Sequence, residues 1–217
     1  MKTRKLGPEG LEVSECGLGC WQLGGGWGNP WDDAVAQEIL GAACASGIRF
    51  LDTADGYRGG ESERSLGRFL RTHPEIAIAT KLGRVGMYPD GYTREAMRRA
   101  TLNSLARPGT DRLDLTQLHC VPTEVLRRGH VFDWLREQRE EGLIARFGAS
   151  VETVEEGLIC LEQEGLTDTA SSGAAGKEET PRVSETPWGL IWENACSLAR
   201  RQCMVQWAAQ PYLRSVR

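Results

Sequence analysis

Between residues 13 and 165, short apolar runs alternate with amphipathic stretches, and this alternation limits the fold more than any other property of the chain. The strand-like runs are 13–18, 48–53, 76–80, 113–118 and 144–150, recurring about every 28 to 37 residues. A helical pattern follows each. Asp32 is placed to cap the first helix, which carries Val35, Ile39 and Ala43 four residues apart and ends at Gly47. Leu66, Phe69 and Leu70 mark the second; Thr93 opens the third, which runs through Met97 and Thr101 to Leu105 before Pro108. Val131, Phe132 and Leu135 lie on the fourth, and Val154, Leu158 and Leu161 on the fifth, closed by Gly165. One helix per strand predicts consecutive βαβ units and a parallel sheet.

Two architectures satisfy that pattern, an open doubly wound sheet and a (β/α)8 barrel. The doubly wound sheet calls for Gly-x-Gly-x-x-Gly between its first strand and helix. Here Gly17, Gly19, Gly24, Gly25 and Gly26 are interrupted by Trp21-Gln22, a poor phosphate cradle, so the predicted fold is α/β of the TIM-barrel type. About five βα units are recognisable, within residues 1–166. From 167 to 182 there is no Val, Ile, Leu, Met or aromatic residue, which predicts a disordered linker over 167–187. A Trp-rich tail over 188–217 follows, with one helix, and holds Trp188, Trp192 and Trp207 of the seven Trp. A complete barrel takes ~250 residues, so 217 residues read as an incomplete barrel, truncated or altered in frame after about residue 166.

Composition narrows the partners. A net charge of −4 gives no basic footprint for nucleic acid. No apolar run approaches the roughly 18 residues of a membrane span, and Gly-Pro-Glu-Gly follows the basic start where a signal peptide would turn apolar, so a cytoplasmic chain is expected. Cys16, Cys20, Cys44, Cys120, Cys160, Cys196 and Cys203 fit neither a CxxC pair nor a zinc set; reduced thiols and no metal are expected. The expected partners are small molecules or proteins, including self-association through an exposed strand edge or the Trp-rich tail.

The chemistry gathers at the C-terminal ends of the predicted strands, which in a parallel barrel converge on one rim. Strand two ends in Asp52, strand three in Lys81, strand four in His119 and strand five in Ser150. Singly, each has an ordinary explanation as a cap, a surface charge or a core histidine; four in register do not. Tyr57 lies five residues beyond Asp52, on the loop leaving its strand. A phenol ionises near pH ~10, too high for easy proton donation. A buried Lys beside it, held charged by Asp, is expected to lower that value. Asp52, Tyr57, Lys81 and His119 thus form a general acid suited to reducing a carbonyl, with His119 orienting the carbonyl or sharing the proton.

Five segments in order, 17–21 (GLGCW), 50–57 (FLDTADGY) with Glu61-Ser62-Glu63, 78–81 (IATK), 114–119 (DLTQLH) and 147–150 (FGAS), resemble the aldo-keto reductases. The resemblance covers roughly residues 3–166. It implies a (β/α)8 fold, NADPH bound without a Rossmann motif, and hydride transfer to an aldehyde or ketone. It also implies that Tyr57 is the acid, Lys81 and Asp52 its tuning pair and His119 the carbonyl orienter. Cys20, Trp21, Asp52 and Ser150 would face the cofactor, with Ser150 bonding the nicotinamide carboxamide. Residues 167–217 show no counterpart of the family's late phosphate-binding loops. The expected function is therefore NADPH-dependent carbonyl reduction, and the alternative is a catalytically impaired relative acting as a binding or regulatory module.

Overall fold

The computed structural model describes residues 1–6, 11–25 and 29–171, with side chains up to residue 166. The chain opens with an antiparallel hairpin of β1 (Thr3–Leu6) and β2 (Leu11–Ser14). A parallel sheet follows in simple sequence order: β3 (Leu18–Gly19), β4 (Phe50–Asp52), β5 (Ala77–Leu82), β6 (Leu115–His119), β7 (Phe147–Val151) and β8 (Leu166–Ser171). Helices α1 (Asp33–Ala45), α2 (Glu61–Leu70), α3 (Arg94–Ala106), α4 (Thr123–Arg128), α5 (His130–Glu140) and α6 (Val154–Leu161) fill the crossovers. Sequential order, with a helical crossover at every step, is the topology of a (β/α) barrel; six consecutive parallel strands of it are present.

The two faces of the sheet are distinct. Phe50, Ala77, Ala79 and Leu115 pack on the inner face against Leu6, Leu11 and Val13, so the hairpin closes the bottom of the barrel. On the outer face Leu51 and Ile78 meet Leu40 of α1 and Leu66 and Phe69 of α2. Leu118, Phe147 and Val151 meet Met97 of α3 and Phe132 and Leu135 of α5. Each fully buried side chain of this kind contributes about 1.5–3 kcal/mol. The outer layers therefore carry much of the stability and leave the inner face open to polar groups.

Two expectations are corrected, and one further helix is found. The predicted first strand at 13–18 is two elements: β2 under the barrel and β3 within the sheet, separated by a turn in which Ser14 Oγ donates to Cys16 O at 2.7 Å. The linker expected from residue 167 does not start there, because Leu166–Ser171 pair with β7 as a sixth strand. Backbone pairing supplies what the apolar pattern lacked. The rest of the predicted linker and the Trp-rich tail lie outside the described residues. Finally, α4 had no apolar run to announce it; Gly129, at φ +78°, separates it from α5. Among the described residues no helix is long and apolar enough to cross a membrane.

Candidate active site

The polar groups singled out in the sequence stand on the inner face. On β4 and β5, Asp52 continues the row of Phe50, and Lys81 that of Ala77 and Ala79. The register pairs Lys81 with Gln117, and His119 with Ser150, so β6 and β7 present their polar groups on the same face. Gln117 is 2% exposed. Sequence reasoning missed it, although its position two residues before His119 on one strand was the signal that it shares the face.

The Lys81 ammonium is the hub. It donates to Asp52 Oδ1, to Thr53 O at 3.0 Å and to Tyr57 Oη at 3.4 Å. It also lies 5.1 Å from the Tyr57 ring centroid. The Tyr57 and His119 rings meet edge to face, with centroids 5.9 Å apart and planes at 83°. Asp52, Tyr57, Lys81 and His119 are thereby brought together from three strands and one loop.

Backbone geometry aims these groups. The loop after β4 turns through Arg58 (φ +53°), Gly59 (φ +63°) and Gly60 (φ +91°), three successive left-handed residues that bring the chain straight into α2. Arg58 anchors the turn by donating to Gly25 O at 3.2 Å and Asn29 O at 2.7 Å. Cys120, directly after His119, is also left-handed (φ +49°), and its amide donates to Ser150 O at 2.8 Å. Non-glycine residues in this region carry strain that the surroundings must overcome, and such residues cluster at functional sites.

Electrostatics departs from expectation at Tyr57. Burial raises its phenol above the usual value; Lys81 opposes this, Asp52 reinforces it, and the outcome is a rise rather than the expected fall. The Lys81 charge is largely matched by Asp52. Burial also works against the Lys81 charge, but Asp52 and Tyr57 together hold the ammonium above its ordinary value, so it stays protonated. Burial, then Lys81 and Arg84, lower His119 to about 4, making it a neutral imidazole at neutral pH. Its Nδ1 is buried without a hydrogen-bond partner among the described residues.

The remaining predicted residues divide. Ser150 is buried on β7, level with His119. Trp21 is exposed, whereas Cys20 is fully buried among Leu23, Leu40, Leu51 and Leu66. The Cys20 amide donates to Asp52 O at 2.8 Å, so this residue braces β4, and its thiol is not presented at the opening. Burial pushes that thiol far up, leaving it un-ionised. The rim beside His119 is formed by the loop after β5, where Arg84 lies 5.5 Å from the Tyr88 ring centroid and 3.7 Å from Glu152 Oε1 across the opening.

The aldo/keto reductase family profile matches residues 15–168, most of the chain and all of this site. The chain belongs to the aldo/keto reductase family. This aldo/keto reductase is 37% identical over 161 residues to an uncharacterized oxidoreductase of Bacillus subtilis (strain 168), a match covering 69% of this chain and 49% of that one. It is 31% identical over 170 residues to the NADH-specific methylglyoxal reductase of Escherichia coli (strain K12), covering 69% and 52%. Among solved structures, the holo form of an aldo-keto reductase from Bacillus halodurans superposes with a TM-score of 0.70 at 30% identity, covering 79% of this chain and 57% of that one. The chain spans about half the length of the curated relatives it matches.

Proposed function

We propose that this aldo/keto reductase reduces an aldehyde or ketone to an alcohol, with Tyr57 as the general acid and NADPH as the reductant. The observation that carries the reading is the Lys81 hub, which holds one phenol hydroxyl 3.4 Å from a buried ammonium that is itself paired with Asp52. When bound, a reduced nicotinamide supplies a hydride for the carbonyl carbon. Tyr57 gives its proton to the carbonyl oxygen as negative charge develops there. Lys81 stabilises the phenolate left behind, and Asp52 keeps Lys81 in place. His119, neutral and only partly buried at the end of β6, is suited to hydrogen-bond the carbonyl oxygen and orient it. The half-buried Tyr57 and His119 rings, side by side at the C-terminal ends of the strands, are what support the fit of a substrate and cofactor here. Ser150 and Trp21 would meet the nicotinamide, a reading supported for Ser150 by its register with His119. The assembled tetrad favours this reading over a module that only binds.

The test is Tyr57→Phe in the purified full chain. Carbonyl-dependent oxidation of the reduced cofactor is expected to fall about 10²–10⁴-fold, the usual worth of a positioned general acid. Quenching of tryptophan fluorescence by the cofactor should persist. Equal turnover by wild type and Tyr57→Phe would remove Tyr57 from the role. NADPH and NADH are titrated side by side, because the E. coli relative is described as NADH-specific.

A further inference from the structure

The loop carrying Tyr57 is held from both faces of the sheet. Thr80 and Lys81 are neighbours on β5, so their side chains point to opposite sides. Lys81 reaches inward to Asp52 and Tyr57. The Thr80 hydroxyl donates outward to Glu63 Oε1 at 2.6 Å. Glu63, only 2% exposed, accepts Arg107 Nη1 on its other oxygen at 2.6 Å. Arg107 in turn lies against the end of the loop: a Cβ on Gly60 would stand 2.6 Å from its Nε.

Asp55 joins these two faces. Two residues before Tyr57, its amide donates to Lys81 O at 3.0 Å. Its side chain is turned into the protein, with the residue 5% exposed, and Oδ1 has no hydrogen-bond partner among the described residues. The charges that face it are Glu63 from α2, which resists a second negative charge, and Arg107 at the end of α3, which favours one. A buried carboxylate with an orphaned oxygen beside another carboxylate is costly, and a neutral carboxylic acid there costs much less.

We propose that Asp55 is a positioning residue for Tyr57: its amide, bonded to Lys81 O, ties the Tyr57 loop to β5, and ionisation of its buried side chain beside Glu63 and Arg107 loosens that tie. Burial and Glu63 lift its pKa to about 7, against the smaller pull of Arg107 and the Gly56 amide. The change therefore falls near neutrality, well above the His119 transition at about 4. Below about pH 7 the loop is held; above it, a second carboxylate stands beside Glu63. The inference rests on the reductase reading only for its effect on turnover.

The test reads the position of Tyr57 without requiring turnover. The chain has three His, and the His119 ring sits in the ring-current field of Tyr57. Proton and nitrogen shifts of the labelled His119 ring, followed against pH in the full chain, should show an inflection near 7 that is separate from the ionisation of His119 itself. Asp55→Asn should abolish that inflection, and Glu63→Gln should move it to lower pH by removing the like charge. Should Asp55→Asn fail to fold, as judged by circular dichroism, the Glu63→Gln shift carries the test. An inflection that survives Asp55→Asn, one that Glu63→Gln leaves in place, or no inflection in the wild type overturns the proposal. In turnover, wild-type kcat should decline as pH rises through the same point, and Asp55→Asn should lose that limb with the KM for NADPH unchanged. Absence of turnover in every variant, with the His119 inflection still following Asp55, would count against carbonyl reduction and leave the role of Asp55 standing.

Discussion

Tyr57 and His119 are moved in different ways by the same burial. For the phenol, burial disfavours the anion, so the group is held protonated at neutral pH. For the imidazole, burial and the Lys81 and Arg84 charges disfavour the cation. The second effect has a direct consequence for stability. In the unfolded chain His119 titrates near ~6.5, and in the folded chain near 4. As pH falls between these values the unfolded state takes up a proton that the folded state refuses, so stability declines across that window and levels below it. His119→Gln should flatten this acid branch by on the order of a few kcal/mol, measured as urea midpoints from pH 7 to pH 4. An unchanged branch would show that His119 titrates normally in the fold. The existence of these groups and their order along the chain could be read from the residues. Their ionisation could not, because it sums charges and solvent exclusion from β4, β5, β6 and the loops between them.

Among the elements, helix ends were legible and helix faces only partly so. Asp32 caps α1 by accepting from Ala34 N at 2.9 Å and Val35 N at 3.3 Å, and Thr93 caps α3 in the same way. On α1 the buried residues are Ala36, Leu40 and Ala43, with Val35 exposed, so the helix is rotated by about one residue from the apolar row expected. On α6 the difference is larger. Val154 and Leu158 are exposed, while Glu156 turns inward to close a capping box with Thr153 and to accept from Thr123 Oγ1 at 2.9 Å. A buried carboxylate that satisfies two backbone amides and a hydroxyl outweighs the burial of two aliphatic side chains on the other side. On α2, packing is decided by a residue with no side chain. A Cβ on Gly67 would lie 2.2 Å from Pro108 O and 2.3 Å from Pro108 Cα. Backbone cannot yield as a flexible side chain can, so Gly67→Ala should destabilise by about 1–3 kcal/mol or more, read as a lower thermal midpoint. A neutral result would mean that α2 can slide off the chain segment after α3.

In the molecule as a whole, the parallel sheet sets a gradient of stability from its middle outward. β5 and β6 are hydrogen-bonded on both sides and packed on both faces, whereas among the described residues β3 and β8 each pair on one side only. Amide hydrogen exchange should therefore be slowest in Ala77–Leu82 and Leu115–His119 and much faster in Leu166–Ser171. Equal protection in β8 would mean that its other edge is also paired. The catalytic candidates lie on the protected side of this gradient: Lys81 is the last residue but one of β5, His119 ends β6, and Asp52 ends the neighbour of β5.

The strand–helix alternation, the parallel barrel class and the polar residue at each strand end were readable because each depends on residues close together in the chain. The sixth strand was not, since its residues after Leu166 carry no apolar signal and are recruited through backbone pairing with β7. Nor were the division of the first strand, the inward turn of Glu156, or the charge cluster that reaches Asp55. Those depend on which distant groups share a buried space, and burial and Coulomb interactions are properties of that space rather than of any local pattern.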